Sequence, residues 1–172
     1  MRAHLLALGI EHELVPCDPD LADTAAFCAA YGFAPEDSAN AIIVAGKPSG
    51  GGEPVYVACL VLSNTRLDVN KAVRHRMGVR KASFASADET IALTRMMIGG
   101  VTAFALPDGL PLWIDDRVME RKRIIVGGGS RSCKALLPPE GLLAVAGAEI
   151  VTGLATVLVA PPALSDAEPA GP

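Results

Sequence analysis

The stretch Gly99-Gly100-Val101-Thr102 is where this sequence comes nearest to a chemical device. Two adjacent glycines let backbone N–H groups approach a ligand closely and point together. That arrangement can hold a carbonyl oxygen as negative charge develops on it, and Thr102 adds a hydroxyl. The same residues also suit a tight turn, so local sequence leaves both readings open. A second run, Gly127-Gly128-Gly129-Ser130-Arg131-Ser132-Cys133-Lys134, lacks the G-x-x-x-x-G-K-[ST] order of a phosphate loop, and no adequate helix follows it. Gly50-Gly51-Gly52 reads as a flexible hairpin tip.

No nucleophile stands out. There is no G-x-S-x-G elbow, and His4, His12 and His75 lie in the N-terminal segment or beside basic residues, where a solvated surface is expected. Asp115 and Asp116 follow an apolar strand; Asp116 reads as a helix N-cap, whereas Asp115 could line a pocket at the strand end. Cysteines at 17, 28, 59 and 133 form no C-x-x-C and have no histidine at zinc-ligand spacing, so no metal or other cofactor is expected. Cys28 and Cys59 read as small buried hydrophobes, and a reducing cytoplasm suits them. No signal peptide is evident.

A formal net charge of -4 argues against holding nucleic acid through a global field, so any RNA contact must be local. Two basic clusters could serve: Arg74, His75, Arg76, Arg80 and Lys81, then Arg117, Arg121, Lys122 and Arg123. The plainer alternative for both is a solvated face. Gly141 to Ala160 approaches membrane-spanning length with Glu149 as its only charge, but its punctuation argues for a helix from Pro138–Pro139 capped by Gly147, then a strand over 148–154.

The elements that must position these residues follow from periodicity and caps. The first ten residues read as a helix, 12–16 as extended, and 20–31 as a helix stopped by Gly32. Ala41–Ala45 and Pro54–Leu62 form a central hairpin across the Gly-rich 47–53 segment. Asp68 caps a helix to Met77, Arg80–Ala85 is a strand, and Ser86 with Glu89 makes a capping box for a helix to Thr94. Strands follow at 112–115 and 124–126. One α+β domain over 1–155 is expected, with a mixed, mainly antiparallel sheet surrounded by helices, and an Ala/Pro-rich tail, 156–172, expected to be disordered.

From about Asp18 to Leu154, this order of features resembles the YbaK-type editing domains related to the insertion domain of bacterial prolyl-tRNA synthetase. The matching signals are the apolar strand 41–45, Arg66-Leu67-Asp68, Gly99-Gly100-Val101-Thr102, Ile114-Asp115, and Val126-Gly127-Gly128-Gly129 with Arg131. The resemblance implies a metal-independent, cytoplasmic hydrolase that removes a small mischarged amino acid from the 3′ end of tRNA, acting in trans, with neither DNA nor membrane as partner. A second site of this kind is needed because a synthetase pocket discriminates one methylene by only about 1–3 kcal/mol.

Carried onto this chain, the resemblance makes Asn40, Gly100 and Thr102 the catalytic positions, and Gly99, Val101, Ala103, Asp115, Gly128 and Gly129 the substrate-binding ones. Two departures stand out. The family has a lysine where this chain has Asn40, and proline where it has Ala103. Lys47 is no substitute, since seven residues along a strand is about 23 Å and the opposite face. Asn40 keeps a hydrogen-bond donor but forfeits the charge, and alanine aims the loop less rigidly. The alternative reading is therefore a catalytically weakened or inactive module that binds an aminoacyl-tRNA end or another small acylated ligand.

Overall fold

Two apolar strands that pair with each other organise the chain, which is described for residues 1–158 in a computed structural model. Strand β2 (Ser38–Lys47) runs antiparallel to β3 (Val55–Leu62), with Asn40 opposite Val61 and Gly46 opposite Val55. In β3, Val57, Cys59 and Val61 enter one core and Ala58, Leu60 and Leu62 the other, so the strand is buried on both faces. Removing a side chain of this size from water contributes about 1.5–3 kcal/mol. Burial also raises the Cys59 thiol pKa to about 12, which makes it an inert hydrophobe.

Around this pair the sheet has the order β1-β8-β7-β2-β3-β6-β9, built from β1 (Glu13–Pro16), β6 (Leu112–Asp115), β7 (Ile124–Gly127), β8 (Cys133–Leu137) and β9 (Ala148–Val151). β5 (Lys81–Phe84) pairs with the far end of β2, and β4 (Thr65–Leu67) pairs separately with β10 (Ala155–Val157). Pairing within the sheet is antiparallel for β1/β8, β8/β7, β2/β3 and β2/β5, and parallel for β7/β2, β3/β6 and β6/β9. The expected mixed, mainly antiparallel α+β fold is present.

Helices cover both faces. α1 (Arg2–Ala7) and α5 (Asp116–Met119) seal the larger core through Leu5 and Val118, while α2 (Thr24–Tyr31) covers a third cluster of Phe27, Cys28, Cys17 and Ile125. After Asp68 the backbone makes a π turn, Val69–Val73, before α3 (Arg74–Met77), and Gly78 ends it in the left-handed region. α4 (Ala87–Thr94) opens with the Ser86/Glu89 capping box, whose hydrogen bonds from Ser86 hold the Glu89 carboxyl below its usual range.

Several boundaries differ from expectation. The 20–31 helix is a 3-10 turn, Pro19–Leu21, followed by α2, because Asp18 caps the first piece through Asp20 N–H. The helix expected from Pro138 is 3-10 over Pro139–Ala144. β10 continues to Val157, past the expected domain end at 155; the rest of the 156–172 tail, from 159 onward, lies outside the described residues. Among the described residues no helix is long and apolar enough to cross a membrane.

Candidate active site

A cleft of about 270 Å³ opens on the sheet face that carries α2, between β2, β7 and β8 on one side and the start of α2 and the 99–101 loop on the other. β2 and β7 run parallel with Ala39 beside Val126, and across the next pair Gly127 faces Lys134 of β8. Register therefore puts Asn40, Gly127 and Lys134 on adjacent strands at one level with side chains on one face. Gly127 is the floor. Asn40 and Lys134 line it from either side, with Asp23 and Thr24 at the start of α2.

The 99–101 loop lies over that floor. A Cβ on Gly127 would sit 2.2 Å from Val101 O and 2.8 Å from Gly100 O, and one on Gly100 would sit 2.3 Å from Ser130 O. These are backbone-on-backbone approaches that only glycine permits. Gly129, at φ +87°, locks the two loops together: its N–H donates to Gly100 O at 2.7 Å and its carbonyl accepts from Met97 N–H at 3.3 Å. Arg131 adds a clamp, donating to Pro19 O and to Asp23 Oδ1.

Within the loop, Gly100 N–H donates to Met97 O at 2.9 Å and Thr102 N–H to Met96 Sδ at 3.4 Å. The donors left for a ligand are those of Gly99 and Val101, and both residues line the cleft. Asn40 presents its carboxamide there in a defined sense: Thr24 Oγ1 donates to Asn40 Oδ1 at 2.7 Å, leaving the Nδ2 end for a ligand.

Lys134 is the residue the sequence reading passed over. Its side chain is buried at 6% exposure, yet it forms no ion pair among the described residues. Nζ donates to Ala22 O at 2.9 Å and lies 4.8 Å from the centroid of the Phe27 ring, which supplies a cation–π contact. Burial lowers the ammonium pKa below the ordinary lysine value, with nearby Cys17, Cys28 and Asp23 opposing the shift. A buried ammonium held by one carbonyl and a ring, with a cleft in front of it, has spare donors for an anion or a polarised oxygen.

Other expected positions are placed differently. Thr102 and Ala103 are fully buried and do not line the cleft; the Thr102 hydroxyl is turned inward, accepting from Phe104 N–H at 3.5 Å. Gly100, Gly128 and Gly129 build the loop contacts without lining the cleft. Asp115 is not a pocket wall. Rather than Asp116, it is the N-cap of α5, and its fully buried carboxylate accepts from Arg117 N–H, from Arg117 Nη1 at 3.1 and 3.2 Å, and from Ala155 N–H at 2.9 Å. Asp115→Ala is expected to cost about 2–4 kcal/mol of stability in chemical denaturation, because it strips the cap, the pair and the β10 anchor together. Residual ligand affinity of the folded fraction should match wild type.

The aminoacyl-tRNA editing domain family matches residues 18–145, a span that contains the cleft, both glycine loops and Lys134. The chain belongs to that family. Among solved structures, this editing domain superposes on the crystal structure of a hypothetical protein, APE2540, with a TM-score of 0.77 and 23% identity, covering 90% of this chain and 97% of that one. A candidate trans-editing enzyme for prolyl tRNA synthetase superposes with a TM-score of 0.74 at 22% identity, covering 88% of this chain and 92% of that one. At these identities the likeness is one of fold. No curated protein matches the chain in sequence.

Proposed function

We propose that this editing domain is a trans-acting aminoacyl-tRNA deacylase of the cytoplasm that hydrolyses the ester of a small mischarged amino acid. The observation that carries the reading is Lys134, a buried ammonium that forms no ion pair among the described residues and lines the same cleft as Gly99 and Val101. It supplies from β8 the positive charge that Asn40 lacks on β2, so the departure at Asn40 does not leave the cleft neutral.

In this reading the acyl carbonyl oxygen sits against the N–H groups of Gly99 and Val101. Water adds to the carbonyl carbon, and the negative charge that collects on oxygen is met by those dipoles and by the Lys134 ammonium, in a site where burial keeps the interaction strong. The ester C–O bond then breaks, the terminal ribose oxygen takes a proton, and amino acid and tRNA separate. Asn40 Nδ2 holds the ribose or its phosphate. A cleft of about 270 Å³ fits a small side chain.

A charge exchange tests the assignment. Asn40→Lys alone is expected to lower hydrolysis of mischarged tRNA about tenfold, because a second ammonium across Gly127 repels Lys134. Combined with Lys134→Met, the same substitution should recover at least tenfold over Lys134→Met alone. A double variant no better than that single one would mean that the cleft does not use charge in this way.

A further inference from the structure

The two basic clusters visible in the sequence have opposite fates in the fold. In the second, Arg117 pairs with Asp115, Arg121 with Asp37 and Arg123 with Glu13, so three of its four cations are neutralised by the protein's own acids and Lys122 alone forms no ion pair among the described residues. In the first only Arg76 finds a carboxylate, that of Glu149. Arg66, Lys71, Arg74, Arg80 and Lys81 are exposed and form no ion pair among the described residues. In a chain of net charge -4, a concentration of unpaired cations on one surface calls for a ligand.

That surface is continuous with the cleft. Phe84 borders the cleft on one side and, on the other, a groove lined by Arg66, Asp68 and Lys71; Lys71 also lines the next concavity along, with Arg74, Arg80 and Lys81. Two carboxylates line this path: Asp23, paired with Arg131, in the cleft, and Asp68, which accepts from Lys71 N–H at 3.0 Å, in the groove. Phe84 is 59% exposed, an unusual place for an aromatic ring in a chain with four phenylalanines.

We propose that this groove, from the cleft over Phe84 to the Lys71–Lys81 cations, is the track for the single-stranded 3′ segment of the RNA whose terminal ester enters the cleft. The proposal rests on the deacylase reading for the direction of the strand. An exposed aromatic flanked by cations is the chemistry of single-strand recognition: a base stacks on the ring while phosphates follow the charges. From Asn40 to Gly46, the β2 position on the same face that pairs with Ala82, the track is about 20 Å long, enough for a few nucleotides. A protein of this net charge holds RNA locally, through this strip, and not through its overall field.

The test is direct binding of a 5′-labelled single-stranded RNA ending in CCA, by fluorescence anisotropy across a salt series, in parallel with hydrolysis of mischarged tRNA. The combined variant Lys71→Glu, Arg80→Glu and Lys81→Glu should bind at least tenfold more weakly and lower the slope of log affinity against log salt by about 2, at ~0.7 per lost phosphate contact. Phe84→Ala should weaken binding about tenfold and Phe84→Trp restore it. Arg123→Gln, in the neutralised cluster, should bind as wild type does. Equal binding by the triple variant or by Phe84→Ala, tighter binding of duplex than of single strand, or no binding by wild type would each overturn the track. A wild type that binds RNA but hydrolyses no charged tRNA would sink the deacylase reading alone, and loss of binding in the variants would still support the track.

Discussion

Lys134→Met is expected to reduce single-turnover hydrolysis of mischarged tRNA by about 100-fold or more, with a melting temperature within a few degrees of wild type. Loss of one preorganised group that stabilises a developing oxyanion typically costs that much. Stability moves little because two effects oppose. Methionine removes a buried cation whose desolvation the fold now bears, and it leaves Ala22 O without its donor and Phe27 without its cation. A residue that only filled space would give the reverse pattern, with stability falling and turnover following it.

The pH dependence separates these roles further. Burial lowers the folded-state pKa of Lys134 below the unfolded value of 10.5. Between the two values the unfolded chain binds more protons than the folded one, so the Lys134 contribution makes stability rise with pH across that window. Hydrolysis that needs the ammonium falls across the same window. Wild-type turnover on alkaline titration should therefore decline below pH 10.5 while the contribution of this group to stability improves, and the decline should vanish in Lys134→Met.

The second large effect is expected at Gly127. Its Cβ would meet Val101 O at 2.2 Å, an approach that no rotamer change relieves because the neighbour is backbone. Gly127→Ala must lift the 99–101 loop off the sheet, at a cost of about 1–3 kcal/mol for overpacking. Displacing the loop by even about 1 Å would reduce hydrolysis about 100-fold. Thermal denaturation and turnover measured on one preparation check both numbers. A variant of normal activity would place the reacting carbonyl elsewhere.

Much of the framework was legible because it rests on local signals. The hairpin of β2 and β3, the Asp68 and Ser86 caps and the Gly32 and Gly78 stops each follow from residues within a few positions of one another. The 99–102 run was read as a loop, and Gly99, Val101 and Asn40 do line one cleft. β8 was not. Its sequence, Cys-Lys-Ala-Leu-Leu, places a lysine at a buried position after a glycine and serine run, which breaks the apolar alternation that marks a strand. Losing β8 meant losing Lys134, whose place beside Asn40 depends on pairings between residues far apart in the chain.

Asp115 and Thr102 illustrate the complementary error. Both stand beside recognisable motifs, and both turn inward: Asp115 to tie α5 to β10, Thr102 to close its own loop. Sequence proximity to a site does not decide which way a side chain faces. Likewise, the two basic clusters are indistinguishable by composition; the partners supplied by Glu13, Asp37 and Asp115 separate a mostly paired cluster from one in which only Arg76 is paired.

The most direct test of the account is deacylation of tRNAs charged with Ala, Ser, Thr, Cys and Pro by wild type and Lys134→Met side by side. Turnover of at least one mischarged species by wild type, lost in the variant at unchanged stability, is the predicted result. Silence across the panel, or equal turnover by the two proteins, would contradict it.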